Sequence, residues 1–176
     1  MKKTIVISYS FTGNNEALAK SIAAEFAVEH NKITESKPRT MGTIMLDMMF
    51  NRTPQVNPNV DKVGDNDLVL FVGPVWMGQA ATPFRAYFKR LKSGLGQYAF
   101  ISISGGALNT NPKLGDDLKK RVGKEPAALI DLHITDLLPP EPKPTTKDTS
   151  AYRINDKDLK NLTNTIVKTL QETVIK

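Results

Sequence analysis

Small polar residues and one glycine stand between an apolar run and a helical pattern near the start of the chain: Ser10, Phe11, Thr12, Gly13, Asn14 and Asn15. Unpaired backbone N–H groups at the amino end of a helix, together with the positive end of its dipole, favour an anion. The hydroxyl groups can add neutral donors. The segment therefore predicts a phosphate site that needs neither lysine nor arginine. The alternative is that these residues only form a tight turn and cap the helix.

Two other phosphate-binding motifs do not fit the sequence. Residues 73–78 have the glycine spacing of a Walker A loop, but Gln79 and Ala80 follow where that loop requires Lys and then Ser or Thr. Only one glycine, Gly13, follows the first apolar run, so the G-x-G-x-x-G dinucleotide fingerprint is missing as well. A single terminal phosphate therefore fits better than a diphosphate.

Short apolar runs alternate with helical patterns along the chain. Four runs are rich in β-branched residues, as strands buried on both faces should be, at residues 4–9, 68–72, 98–103 and 129–134. A short fifth strand is predicted at residues 32–36. Such strands need helices on both sides, so this order predicts a doubly wound parallel sheet in one domain of residues 1–176.

Four helices are predicted between and after these strands. The first carries Leu18, Ile22 and Phe26 at a spacing of four. The second follows Pro83, the third opens at residues 111–112 and ends at Gly123, and the last is capped by residue 155 or 156. Ligands of such sheets bind beyond the carboxyl ends of the strands, so the loops after strands one, three and four are the candidate site.

Three other segments carry weaker predictions. Residues 40–50 are rich in methionine and are predicted to be a helical or irregular insert whose methionines fill the core. The proline-rich residues 138–146 are predicted to be a surface connector that cannot be helical. His133 is predicted to be a polar position on an edge strand, far from the three loops, and not a catalytic base.

Composition excludes several classes of function. The chain has no cysteine and only two histidines, far apart in sequence, which argues against thiol chemistry, zinc sites and histidine-based triads. The net charge of +6 arises from 24 Lys and Arg against 18 Asp and Glu, without the basic, aromatic-rich pattern of nucleic-acid binding. No apolar run is long enough for a membrane span or a signal peptide. A cytoplasmic protein is expected, and any redox chemistry must come from a bound cofactor.

Residues 10–15 resemble the S/T-x-T-G-x-T phosphate loop of flavodoxin-like proteins, which bind FMN. Residues 67–88, DLVLFVGPVWMGQAATPFRAYF, are similar to the third strand, flavin loop and following helix of the reductase branch of that family. Residues 100–106, FISISGG, are similar to its fourth strand and second flavin loop. The resemblance covers about the first two thirds of the chain. It implies a five-stranded sheet of order 2-1-3-4-5 with helices on both faces.

The resemblance also implies a set of cofactor-binding residues. Residues 10–15 would hold the FMN phosphate through the side chains of Ser10, Thr12 and Asn15 and through backbone N–H groups. Two loops would flank the isoalloxazine ring: Pro74, Val75, Trp76, Met77 and Gly78, then Ser104, Gly105 and Gly106. Asn15 departs from the family, which usually has threonine at that position.

Two residues of the flavin loop have more specific expected roles. Trp76 is the candidate for stacking on the flavin, because the loop at residues 104–106 offers no aromatic side chain; the alternative is a structural anchor between helix and sheet. The peptide at Gly78 is the candidate to donate a hydrogen bond to flavin N5, since glycine tolerates the backbone flip this requires. The alternative is that Gly78 only completes a turn.

The implied function is that of a small FMN-dependent redox protein with no catalytic acid or base of its own. An NAD(P)H-dependent reductase of a quinone or similar acceptor is favoured, because electron-carrying flavodoxins are typically acidic and this chain is basic. The alternatives are a flavodoxin-type carrier for a partner protein, or a non-enzymatic module that binds another phosphorylated ligand or a protein. Basic residues at 85–92 and 113–124 are read as solvated helix faces; the alternative is a contact with an acidic protein or an NADPH phosphate.

Overall fold

The computed structural model describes residues 2–58, 66–92, 94, 96–105 and 111–174. Its main sheet has five parallel strands, named here in chain order: β1 (Thr4–Ser8), β2 (Glu29–Lys32), β3 (Leu68–Val72), β6 (Gln97–Ser104) and β7 (Ala128–His133). They are arranged in the order β2-β1-β3-β6-β7. The remaining two, β4 (Val75–Trp76) and β5 (Gln79–Ala80), form a separate antiparallel hairpin. With the hairpin left out of the numbering, the predicted order 2-1-3-4-5 is confirmed.

Six α-helices accompany the strands in the described residues: α1 (Asn14–Phe26), α2 (Met41–Met49), α3 (Arg85–Lys92), α4 (Leu114–Val122), α5 (Thr146–Ala151) and α6 (Asp156–Thr173). Helices α1 and α6 cover one face of the sheet, and α3 and α4 cover the other. Two predicted helix ends are confirmed. Gly123 ends α4 at φ +84°, and the Asn155 side chain caps α6 by accepting from the N–H of Asp158.

The sheet separates two hydrophobic cores. All five residues of β3 are fully buried, and their side chains alternate between the two faces. Phe71 lies in the core beneath α3 and α4, whereas Leu70 lies in the core beneath α1 and α6. The first core is rich in aromatic rings: Tyr9, Phe71, Phe84, Tyr87, Phe88, Tyr98 and Phe100. This packing holds the carboxyl ends of β1, β3 and β6 side by side.

The second strand lies earlier in the chain than predicted. The prediction placed it at residues 32–36, but β2 pairs with β1 over Glu29–Lys32. Thr34 instead makes an isolated bridge to Asn57. β2 is an edge strand with the sequence EHNK, so it lacks the apolar pattern by which buried strands are recognised. The position of β2 in the chain is set by its backbone hydrogen bonds to β1.

The methionine-rich segment is helical, but the prediction that its methionines fill the core is wrong. Ile44 is the only residue of α2 that is fully buried. Large apolar side chains on and just after the helix are exposed instead: Met41, Met45, Leu46, Met49 and Phe50. Apolar character predicts burial only when another element covers the helix face.

The chain after β7 contains a short helix that was not predicted. Helix α5 begins at Thr146, the last residue of the proline-rich stretch, so the prediction that residues 138–146 cannot be helical is wrong at that residue. The side chain of Thr145 caps its first turn, and that of Asp148 accepts from the N–H of Thr145 in return, which is a capping box. No helix in the described part of the chain is both long and apolar enough to cross a membrane.

Candidate functional site

Three loops meet at the carboxyl edge of the sheet because the strands before them are neighbours. The N–H of Tyr9 donates to the carbonyl of Val72 over 3.1 Å, and the N–H of Gly73 donates to that of Ile101 over 3.0 Å. The loops after β1, β3 and β6 therefore begin side by side. The structure brings together the predicted phosphate loop, flavin loop and second flavin loop, apart from Gly106, which lies outside the described residues.

The phosphate loop leaves the start of α1 without a side-chain cap. Gly13 occupies the N-cap position at φ +97°, and no side-chain cap hydrogen bond is formed there within the described part of the chain. The Ser10 hydroxyl oxygen accepts from the N–H of Gly13 over 2.9 Å, so its hydrogen is free to donate elsewhere. A Cβ added at Gly13 would meet no atom within 4 Å. This helix start is an open cluster of donors.

Asn15 was expected to donate its amide to a phosphate, and the structure shows a second role for the side chain. Its Nδ2 donates to the carbonyl of Ile103 over 2.9 Å, and its Oδ1 accepts from the N–H of the same residue over 3.0 Å. The side chain is buried. Ile103 takes one of the two Nδ2 hydrogens, so the other one and the backbone N–H of Asn15 remain as donors.

The position of Ile103 explains this pair of hydrogen bonds. Alternate residues of a parallel strand direct their backbone groups to the same side, so Ile103 faces the same neighbour as Ile101. That neighbour, β3, ends at Val72, and Gly73 makes the last bond to β6 on that side. The amide of Asn15 therefore continues the hydrogen-bond ladder beyond the end of β3.

Asn14 makes an equivalent bridge to the other side of the loop. Its Nδ2 donates to the carbonyl of Tyr152, and its Oδ1 accepts from the N–H of Ile154, both over 3.1 Å. The two adjacent asparagines thus tie the start of α1 to β6 and to the segment after α5. Sequence analysis missed Tyr152 and Ile154 because their partner lies about 140 residues away.

The flavin loop is a tight hairpin. Met77 and Gly78 are the two residues between β4 and β5, and both have positive φ, +51° and +75°, as a type I′ turn requires. The Met77 side chain is 78% exposed at the tip. Gly73 precedes the hairpin, and a Cβ there would lie 2.3 Å from the Phe84 ring, so only glycine fits.

Trp76 is half-buried between the flavin loop and the phosphate loop. Its ring makes edge-to-face contacts with Tyr9 and Phe11, at centroid distances of 5.8 and 6.4 Å. The guanidinium of Arg39 lies over the ring at 5.9 Å from its centroid. Trp76 also packs against the aromatic core. It therefore has structural contacts of its own, whether or not it also stacks on a ligand.

A buried ion-pair cluster supports Trp76, and sequence analysis did not identify it. Arg39 pairs with Glu35 and, over 2.6 Å, with Asp47. Burial lowers the pKa of Arg39, but its hydrogen bonds to the two carboxylates outweigh that effect and hold the pKa above its usual value. Burial, and then the charge of Glu35, raise the pKa of Tyr9 to about 12. Tyr9 is therefore a neutral phenol at physiological pH.

The second flavin loop is held from two sides. The Ser104 hydroxyl lies 3.3 Å from Nδ1 of His133, and the Thr149 hydroxyl of α5 donates to the carbonyl of Gly105. His133 ends the edge strand β7, as predicted, but the expectation that it lies far from the three loops is wrong. β6 and β7 end together, so the ladder places Ser104 opposite His133.

No protein-family model and no curated protein matches the chain. Solved structures do match. A flavoprotein from Lactobacillus acidophilus NCFM, crystallised in complex with FMN, is 24% identical; the match covers 74% of this chain and 93% of that one, at a TM-score of 0.62. A Bacteroides eggerthii DSM 20697 protein, provisionally described as a flavoprotein, is 16% identical; the match covers 94% of this chain and 98% of that one, at a TM-score of 0.64. A flavodoxin from the domain Archaea is 13% identical; the match covers 97% of this chain and 98% of that one, at a TM-score of 0.52. Together with the strand order, these matches establish that the chain has the flavodoxin-like fold.

Proposed function

We propose that the protein binds FMN noncovalently at the three loops and acts as a redox protein. The observation that carries the proposal is the uncapped start of α1, where Gly13 and the hydroxyl of Ser10 leave donors open beside the flavin loop. The similar Lactobacillus acidophilus flavoprotein, crystallised with FMN, supports the same ligand. A single phosphate at neutral donors fits this helix start.

The residues of the site divide into two groups by what they would hold. Ser10, Thr12 and the backbone N–H groups of residues 11–15 would bind the phosphate. The hairpin at 74–78 and the loop that begins at Ser104 and Gly105 would flank the ring system, and Gly106 is proposed to complete this loop. Asn15 belongs to the first group chiefly through its backbone, because Ile103 occupies its side-chain oxygen and one of its two Nδ2 hydrogens.

The proposed activity is the reduction of a quinone or similar acceptor by NAD(P)H. FMN, when bound, supplies hydride and single-electron transfer at its isoalloxazine ring. The chain would position the ring, restrict water with the half-buried Trp76, and donate from the peptide at Gly78 to N5. A positive φ at Gly78 is compatible with this, since glycine adopts either backbone orientation at low cost. The net charge of +6 favours this activity over that of an acidic electron carrier.

A second candidate function is electron transfer to a partner protein. The exposed apolar side chains of α2, together with Met77 at the hairpin tip, favour it, because exposed apolar patches commonly mark protein contacts. A carrier would need such a surface, whereas a reductase of small quinones would not.

The phosphate assignment is tested by comparing two ligands. The double variant Ser10→Ala, Thr12→Ala should weaken FMN binding by roughly a hundredfold or more, because two hydrogen bonds to a charged group are lost. Riboflavin, which lacks the phosphate, should bind nearly as before. The matched control is Thr165→Ala with Thr173→Ala, which removes two exposed hydroxyls of α6. Equal losses for FMN and riboflavin would contradict the assignment.

The reductase activity is tested by adding NADH or NADPH to the FMN-loaded protein without oxygen. A reductase should bleach the flavin absorbance and recover it when a quinone is added. Flavin that stays oxidised with both nicotinamides, but is reduced by a separate flavoprotein reductase, would favour the carrier.

A further inference from the structure

A cavity of about 610 Å³ lies among α2, α3, α4 and β5, and its described lining shares no residue with the phosphate loop. Five of its lining side chains are cationic: Arg85, Lys89, Lys92, Lys120 and Arg121. Among the described residues, Asp117 is the one acidic residue that lines it. Like charges concentrated around a concavity raise the local positive potential and attract anions.

Arg85 contributes a buried charge to this cavity. It was expected on a solvated helix face, but it is only 4% exposed. Its guanidinium donates to the carbonyls of Asp47 and Arg52, over 2.9 and 2.6 Å, and reaches the amide oxygen of Gln79 at 3.5 Å. These acceptors are neutral, and its Nε has no partner within the described residues. The positive charge is therefore solvated by dipoles, and no described carboxylate contacts it.

Arg121 is fixed in position at the same cavity. Its Nε donates to Asp117 over 2.7 Å, and its two terminal nitrogens donate to Gln79 and Asn51, over 2.9 and 3.2 Å. Burial lowers the pKa of Arg85 most, and the positive charge of Arg121 lowers it further. A guanidinium held by three acceptors loses little side-chain entropy when a ligand arrives.

We propose that this cationic cleft binds a small polyanion with phosphate or carboxylate groups, at a site separate from the flavin loops. Lys89, Lys92 and Lys120 would contact the ligand at the rim, and Arg121 would contact it further in. The buried Arg85 would add its positive charge to the cleft without being exposed at the rim. The anion would relieve the repulsion among five cations that share one carboxylate among the lining residues that the structure describes. An extended acidic protein surface fits less well, because the cations line a concavity and do not form a flat face.

The test is isothermal titration of inorganic pyrophosphate into protein saturated with FMN and into FMN-free protein, at low salt and without divalent cations. Citrate is titrated in parallel as the carboxylate probe. We expect at least one of these anions to bind at one site in both forms of the protein. Its affinity should fall as the salt concentration is raised. The relative affinities of the two anions then identify the preferred chemistry. No binding of either at millimolar concentration would overturn the proposal.

Variants locate the site. The double variant Lys89→Gln, Lys120→Gln changes two exposed side chains at the rim, so folding should be preserved. It should weaken binding of the anion by about tenfold or more. The control Lys157→Gln, Lys168→Gln removes the same charge from exposed positions of α6 and should change the affinity less than about threefold. Equal weakening in the two pairs would mean diffuse attraction and overturn the proposal. So would loss of binding in the Ser10→Ala, Thr12→Ala variant, since the anion would then occupy the phosphate loop.

Discussion

The Asn15→Ala substitution separates two roles for this residue. Alanine removes the amide that bridges α1 to Ile103, while the backbone N–H of residue 15 stays in place. If the side chain only bound a phosphate, the FMN-free protein would keep its stability and FMN would bind about tenfold more weakly, the loss of one hydrogen bond. If it continues the ladder of β6, the FMN-free protein itself must be destabilised.

The structure allows the size of this destabilisation to be worked out. Both hydrogen bonds of Asn15 are buried, and the substitution leaves the N–H and the carbonyl of Ile103 without their partner. An unsatisfied buried group costs about 1–3 kcal/mol, so the pair predicts a loss of roughly 2–6 kcal/mol in the free energy of unfolding. For a chain of this size, that lowers the thermal midpoint by roughly 5–20 °C.

The assay is urea and thermal unfolding of the FMN-free protein, with hydrogen exchange at the amide of Ile103. The N–H of Ile103 should exchange faster in Asn15→Ala, because its acceptor is gone. The control is Asn164→Ala, an exposed asparagine of α6, which should stay within about 0.5 kcal/mol of the wild type. An Asn15→Ala protein with wild-type stability and unchanged exchange at Ile103 would refute the reasoning.

Three further substitutions have defined expectations. Gly73→Ala places a Cβ against the Phe84 ring and should cost about 1–3 kcal/mol in unfolding experiments, whereas Gly42→Ala, with space around it, should not destabilise; equal effects would contradict the packing. Burial lowers the pKa of His30 below its usual 6.5, so the unfolded chain binds the proton more tightly and stability should fall as pH drops below about 6.5. His30→Gln should flatten that dependence, and an imidazole pKa above 6.5 by NMR would contradict it. Trp76→Leu should lose about 1–3 kcal/mol in the FMN-free protein, from two edge-to-face contacts, and FMN should quench Trp76 fluorescence in the wild type; unchanged fluorescence would exclude stacking.

The parts of the fold that could be predicted are those in which local pattern and burial agree. Strand β3 is apolar throughout because both of its faces are covered, and its predicted bounds match the observed ones. Strand β2 and helix α2 could not be placed in the same way. β2 depends on its backbone ladder to β1, and α2 leaves most of its apolar side chains exposed.

The candidate site divides along a similar line. The neighbourhood of the three loops followed from strand order, but the roles of Asn14 and Asn15 did not, because their partners lie 88 to 140 residues away along the chain. Helix α5, which contacts Gly105, did leave a local mark. Thr145 and Asp148 have the spacing of a capping box directly after the prolines, and this pattern could have predicted the helix.

The uneven distribution of aromatic rings across the sheet affects how unfolding can be observed. Most tyrosine and phenylalanine rings, and Trp76, belong to the core beneath α3 and α4, whereas the core beneath α1 and α6 is mainly aliphatic. Intrinsic fluorescence and near-ultraviolet circular dichroism therefore report chiefly on one layer of the molecule. Detachment of α6 would change the far-ultraviolet helical spectrum with little aromatic signal. If the unfolding transitions followed by the aromatic signals and by far-ultraviolet circular dichroism coincide, the two layers unfold as one cooperative unit.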